Sequence, residues 1–193
     1  MSHIRKTIRE SFYGQEVDEA SVNNKPLAGE PFEIVDTDHY EMDRVVDLDT
    51  ELQVGVKEEG SLIFLYLIHT DAYGQPIPKV VGEMTLKTHE VSPYPIANLI
   101  RINPEYQGKG YGKTLYEWII NNYGGLVSDS TLTKRGGKGS FHVWRSLQDD
   151  GYDIAVVRWS DVNDAKYWEP EKVKNIENWV KEGKGGFRLV ISA

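Results

Sequence analysis

The stretch Asn103-Pro104-Glu105-Tyr106-Gln107-Gly108-Lys109-Gly110-Tyr111-Gly112-Lys113-Thr114 holds the residues best spaced to do chemistry. Gly108, Gly110 and Gly112 stand on alternate positions directly before a run with helical periodicity. Such a loop exposes successive backbone N–H groups. Together with the positive end of the following helix, they suit a phosphate or pyrophosphate. Spacing excludes two familiar phosphate loops. A P-loop needs glycine five residues before Gly112-Lys113-Thr114, where Gln107 stands, and a dinucleotide fingerprint starting at Gly108 needs glycine in place of Lys113. The reading that needs no ligand is a glycine-rich turn that opens a structural helix.

The elements that must hold this loop flank it. Residues 97–102 form an apolar strand pattern, and a helix is predicted over 110–123. Tyr111, Leu115, Trp118 and Ile119 share one face of that helix, and Gly124-Gly125 stops it. Upstream, 32–35, 44–50, 52–57, 62–69 and 79–88 read as strands. Turns at Glu58-Glu59-Gly60-Ser61 and Tyr73-Gly74-Gln75-Pro76 make them an antiparallel meander. Downstream come a strand at 126–130, a helix at 140–147 and a strand at 154–159. Pro170, Val173, Ile176 and Val180 mark a last helix, and 187–191 a closing strand. The expected class is α+β, a mixed and mostly antiparallel central sheet flanked by helices. A polar arm over 1–30 precedes a single domain over 31–193.

The 193 residues carry 22 basic and 30 acidic side chains, for a net charge of −8. That length suits one core. No cysteine is present, which excludes disulfides, thiolate metal sites and cysteine thioesters. The longest apolar run, 62–68, is far short of a membrane span, and the polar N-terminus lacks a secretory pattern, so a cytoplasmic protein with no membrane partner is expected. Net negative charge argues against a nucleic-acid partner. Lys134, Arg135 and Lys138 form the one dense basic cluster, which reads equally well as a solvated loop. The histidines are too far apart to pair as ligands, so no metal site is expected. Asp47, Asp49 and Glu51 would line one strand face, but Leu52 stands where a calcium loop requires glycine, and a solvated edge is the better reading.

Gln107, Gly110 and Gly112 match the pattern Q/R-x-x-G-x-G/A. The segment resembles the acetyl-CoA-binding motif of the GNAT N-acetyltransferase superfamily. Asn103-Pro104-Glu105-Tyr106 is similar to that family's run into the motif, and the order of elements over 79–158 follows the family's order. The resemblance implies a GNAT-like fold and direct transfer of an acetyl group from acetyl-CoA to a primary amine, on a small molecule or a protein. It implies that backbone amides of Gly108, Lys109, Gly110, Tyr111, Gly112 and Lys113, beside Gln107, hold the pyrophosphate. The backbone of Ile100, Arg101 and Ile102 would pair with pantetheine, and an N–H near Ile102 or Asn103 would stabilise the thioester oxyanion. Lys109, Arg101 or the basic cluster would reach the 3′-phosphate. For each basic side chain alone, solvation is the commoner explanation.

Direct transfer needs a neutral amine, so a base must accept its proton. Glu83, on the strand over 80–86, is the first candidate and Asp129 the second. The competing readings are an outward-facing strand residue for Glu83 and a turn or cap in Ser128-Asp129-Ser130 for Asp129. The resemblance places a tyrosine acid where Val143-Trp144-Arg145-Ser146-Leu147 stands. Trp144 cannot donate as an acid, which leaves Tyr152, Ser140 or a water, and His142 is a further basic group nearby in sequence. That gap supports a second reading, a catalytically silent acyl-CoA-binding or partner-binding module of the same fold. A third is a structural protein with a vestigial cleft. The acidic surface favours a cationic acceptor such as a polyamine, an aminoglycoside or a lysine-rich protein.

Overall fold

Alternating apolar and polar residues build an antiparallel meander in the computed structural model, which describes residues 32–70, 78–90, 92–129, 138–158, 170–177 and 187–193. The strands are β1 (Val35–Asp36), β2 (Arg44–Asp47), β3 (Leu52–Glu59), β4 (Leu62–His69), β5 (Lys79–Lys87) and β6 (Ile96–Ile102). From β2 to β6 each strand pairs antiparallel with the next. Gly60-Ser61 joins β3 to β4 with Gly60 at φ +61°, the left-handed backbone that a two-residue hairpin turn requires. β1 pairs with the start of β5 through Val35 and Val80, beside the point where β6 leaves β5 at Gly82 and Ile102.

After β6 come α1 (Tyr111–Tyr123), β7 (Gly125–Val127), α2 (Lys138–Asp149), β8 (Ile154–Arg158), β9 (Glu171–Lys172) and β10 (Phe187–Ser192). The sheet order is β2-β3-β4-β5-β6-β7-β10-β8-β9. β10 runs antiparallel to both its neighbours. β6 and β7 are parallel and share a single register pair, Ile96 with Val127, supported by the Val127 amide on the Pro95 carbonyl at 2.9 Å. Beyond that joint the two strands part. The Ser128 amide turns to Leu189 on β10 at 2.8 Å, while β6 runs on to Ile102, paired with β5 as its only strand partner among the described residues. The α+β class and the mostly antiparallel sheet match the expectation.

Helix packing explains one face. Leu115, Tyr116, Ile119 and Ile120 of α1 are buried, and with Trp144 and Leu147 of α2 they cover Val54, Leu65, Met84 and Leu86. The other face of the meander carries Phe32, Ile68 and Val80, with Tyr40, Met42 and Tyr66 packed against them. Phe32–Ala193 make up one compact unit. The expected arm over 1–30, the turn at 73–76, and Lys134 and Arg135 lie outside the described residues. Among the described residues, no helix is long and apolar enough to cross a membrane.

Three expectations are corrected. The strand expected over 32–35 is β1, displaced to Val35–Asp36. β2 stops at Asp47, because Asp49 folds a turn in which its Oδ1 accepts from the Glu51 and Leu52 amides at 2.8 Å each. Asp47, Asp49 and Glu51 therefore do not share a strand face; Asp47 instead accepts from Gln53 Nε2 at 2.8 Å. Pro170 does not open a helix either: Glu171–Lys172 form the edge strand β9 on β8, and helical backbone first appears at Ile176. Val173 and Ile176 have helical spacing, yet both reach the core from a segment held by Gln148, which donates to the Val173 carbonyl at 3.1 Å and accepts from the Ile176 amide at 3.3 Å.

Gly125 guards the joint between β6 and β7. A Cβ there would stand 2.5 Å from the Ile191 carbonyl oxygen and 2.7 Å from the Tyr94 ring, whereas one on Gly112 would meet only ordinary contacts at 3.6 Å. Gly125→Ala is therefore expected to lose about 1–3 kcal/mol by overpacking. Gly112→Ala, inside α1, should lose nothing. Urea unfolding of both variants checks this, and equal midpoints would show that the joint is not tightly packed.

Candidate functional site

Asn103 fixes where β6 ends. Its amide donates to the Val81 carbonyl at 2.8 Å, its Oδ1 accepts from the Glu105 amide at 2.9 Å, and its Nδ2 donates to the Phe32 carbonyl at 2.6 Å. A 3-10 turn over Pro104–Tyr106 follows, and Gln107 Nε2 reaches back to the Ile102 carbonyl at 2.7 Å. Gly108 at φ +74° and Gly110 at φ +88° take left-handed backbone that would strain any side chain. The Gly110 carbonyl then accepts from the Lys113 and Thr114 amides, at 2.9 and 3.1 Å, and α1 begins. Gly108, Lys109, Gly110, Tyr111 and Gly112 keep backbone N–H groups that make no hydrogen bond among the described residues. These successive donors stand at the positive end of α1. The Lys113 amide, expected in the same set, is taken by Gly110. The Lys113 ammonium pairs with Asp150 just past α2, and with Glu117 at 3.9 Å.

The edge of β6 is the second part of the site. Because the Asn103 amide points to β5, strand alternation turns the backbone groups of Ile102 and Ile100 away from β5, toward the opening left by β7, and those of Arg101 toward β5. Gln107 satisfies one of these groups, the Ile102 carbonyl. Gly112 lets the first turn of α1 lie close to both β6 and α2, with Ile102 Cδ1 and Val143 Cγ2 each 3.6 Å from the position of a Cβ. An aromatic rim borders the loop. His69 and Tyr106 meet edge-on at 5.1 Å, and the Lys109 ammonium lies 4.8 Å from the Tyr106 ring centre. Burial, followed by the Glu51 and Asp49 charges, pushes the Tyr111 hydroxyl above the usual range.

The two expected carboxylates lie apart. Glu83 is on the sheet face away from α1, level with Tyr66 on β4 and Arg101 on β6. Arg101 Nε donates to Glu83 Oε1 at 2.9 Å, and Nη2 bonds the same oxygen. The Arg101 guanidinium is thus engaged by a carboxylate, with the Phe32 ring centre 5.9 Å away. Asp129 follows β7, and its charge is felt by Tyr116 on the helix-covered side. Ser128 Oγ, next to it, accepts from the Leu189 amide at 2.9 Å.

Residue types alone did not reveal the partner of Trp144. Trp144 is a core residue, and its indole N–H donates to the hydroxyl of Tyr116, with the rings edge-on at 6.0 Å. Burial, and then the charge of Asp129, pushes that hydroxyl well above the usual tyrosine range. A tyrosine on the apolar face of α1, one turn from Ile120, was the only available signal. Ser140 and Tyr152 are half-buried, His142 is exposed on α2, and the Lys138 side chain lies outside the described residues. Among the described residues, no three histidine or acidic side chains gather as a metal site.

No protein-family model matches the chain, and no curated protein matches it. Among solved structures, the chain is similar to the ribosomal-protein-S18-alanine N-acetyltransferase from Escherichia coli, with TM-score 0.36, 12% identity and 69% of each chain covered. The reading of the site rests on its own geometry.

The state of Tyr116 predicts an alkaline limit on stability. The folded chain holds its hydroxyl neutral, while the unfolded chain ionises it near pH 10. The contribution is therefore complete below pH 10 and is lost as pH rises above it, by up to about 1.4 kcal/mol per pH unit. Urea unfolding at pH 9, 10 and 11 should show this fall, and Tyr116→Phe should make it shallower by one proton's worth.

Proposed function

We propose that the chain is an acetyl-CoA-dependent N-acetyltransferase acting directly on a primary amine. The observation that carries the reading is the run of unpartnered amides over 108–112 beside the unpaired edge of β6. A pyrophosphate needs several N–H donors at once, and a helix N-terminus behind them adds a favourable field. Gly108 and Gly110 fit such a ligand, because open space surrounds both positions where a side chain would project. The Ile100 and Ile102 backbone groups fit an amide-bearing pantetheine arm in the place of a missing strand.

When bound, acetyl-CoA supplies an activated acetyl thioester. The residues of this chain do the rest. The Ile102 N–H is the donor placed to stabilise negative charge on the acyl oxygen. Oε2 of Glu83, the oxygen that Arg101 leaves, accepts the proton shed by the amine as the N–C bond forms and the C–S bond breaks. A proton returns to the departing sulfur from water or from Ser140 or Tyr152, the half-buried hydroxyls on and just after α2. On this reading the protein works in the cytoplasm, and its net charge of −8 favours a cationic acceptor. The buried Trp144 favours a second reading, in which the fold binds an acyl-CoA without turning it over.

Calorimetric titration with acetyl-CoA tests the cosubstrate, and release of free thiol with a panel of amines tests turnover. Gly110→Glu, which sets a carboxylate among the free amides, should weaken acetyl-CoA at least about tenfold, or ~1.4 kcal/mol. A thermal melt of the variant controls for folding. Binding without thiol release would support the silent module, and no heat with acetyl-CoA or CoA would sink both readings.

A further inference from the structure

On the sheet face away from α1, two tyrosines gather beside an ion pair. Tyr66, Glu83 and Arg101 are register neighbours across β4, β5 and β6. Both donating nitrogens of Arg101 converge on Oε1 of Glu83, so Oε2 makes no hydrogen bond among the described residues. Tyr40 arrives from the segment after β1 and rests on Tyr66, with ring centroids 4.5 Å apart and planes at 47°. Neither tyrosine hydroxyl has a hydrogen bond among the described residues, although both side chains are half-buried and the Glu83 side chain is only 11% exposed. None of these three oxygens is a buried orphan, so they are open to solvent or to a ligand from outside the fold.

Electrostatics decides what would. Arg101 lies on the β6 side of Glu83 and Tyr66 on the β4 side, so the negative end of the ion pair faces the tyrosines. Burial, and after it the Glu83 charge, pushes both hydroxyls up, Tyr40 to about 12, while Arg101 offsets this at Tyr40 only as the smallest cause. The potential at the tyrosines is therefore negative. A group with several N–H donors and a positive charge suits two phenol oxygens, a carboxylate oxygen and aromatic faces. A primary ammonium is such a group, and its apolar stem can lie along the rings.

We propose that Tyr40, Tyr66 and Oε2 of Glu83 form the seat for the acceptor's amino group, and that the acceptor is a primary alkylamine arriving as its ammonium. The seat draws its purpose from the proposed transfer reaction, but its binding of amines does not depend on it. Glu83 and Arg101 are paired across β5 and β6, so seat and acyl cleft share β6.

Spermidine and n-butylamine serve as probes, titrated into the full chain at low salt, with CoA titrated separately. Tyr40→Phe and Tyr66→Phe should each weaken the amines at least threefold, and the double variant at least tenfold. CoA affinity should not change. Thermal stability should hold, because neither hydroxyl makes a hydrogen bond among the described residues. That combination separates a binding role from a structural one. Wild type that binds neither amine, or a double variant with unchanged amine affinity, would overturn the seat. Wild type that binds amines through these residues but not CoA would uphold the seat and sink the transfer reaction.

Discussion

The fold turns on one joint, the single parallel pair between Ile96 and Val127. Strands normally stay paired, because an unpaired backbone group shielded from water is costly. Here both strands are held firmly on their outer sides, β6 by β5 and β7 by β10, so they can part without either one unravelling. The packing of Gly125 between the Ile191 carbonyl and the Tyr94 ring keeps them together at the base. Gln107 satisfies the last outward carbonyl of β6, and β1 takes over the edge of β5 where β6 has left it. What remains open is a short stretch of backbone at Ile100 and Ile102, next to free amides at the head of α1.

The two faces of the sheet divide the work. On one, α1 and α2 bury a continuous apolar core, and Tyr116 contributes its only hydroxyl to Trp144. On the other, the segment from Phe32 to Met42 supplies aromatic rings, and the polar row Tyr66, Glu83 and Arg101 remains half-covered. A carboxylate in the first setting would face only apolar neighbours. In the second, Arg101 holds Glu83 through one oxygen and leaves the other unengaged among the described residues. Asn103 ties the faces together, because the side chain that shapes the loop before α1 also holds the Phe32 carbonyl.

Most of the elements could be read from periodicity, because two-fold and 3.6-fold patterns report burial directly. β4 and α1 fall within a residue of expectation for that reason. The loop was legible through its glycines, whose left-handed backbone at 108 and 110 leaves a trace in residue type. The expected helix does not start at Pro170 because pairing with β8 draws Glu171 and Lys172 into a strand, and helical backbone waits until Ile176. On the far face Glu83 was legible as a candidate base, but its neighbours were not. Tyr40, Tyr66 and Arg101 come from three separate segments, and only the register of β4, β5 and β6 brings Glu83 between its neighbours.

The burial of Trp144 bears on how a proton would return to the leaving sulfur. A tryptophan that merely replaced an exposed tyrosine would leave a gap in the site, but this indole is spent on a hydroxyl inside the core. The position has been given over to packing, and Trp144 itself cannot serve as the acid. In the proposed transfer that proton would come from solvent or from Ser140 or Tyr152, which are half-buried. A leaving thiol is a weak enough base that solvent can supply its proton, whereas an attacking ammonium cannot react until it has lost one. In the proposed transfer the demanding proton step is therefore the one at the amine, and the far face carries the ion pair of Glu83 and Arg101.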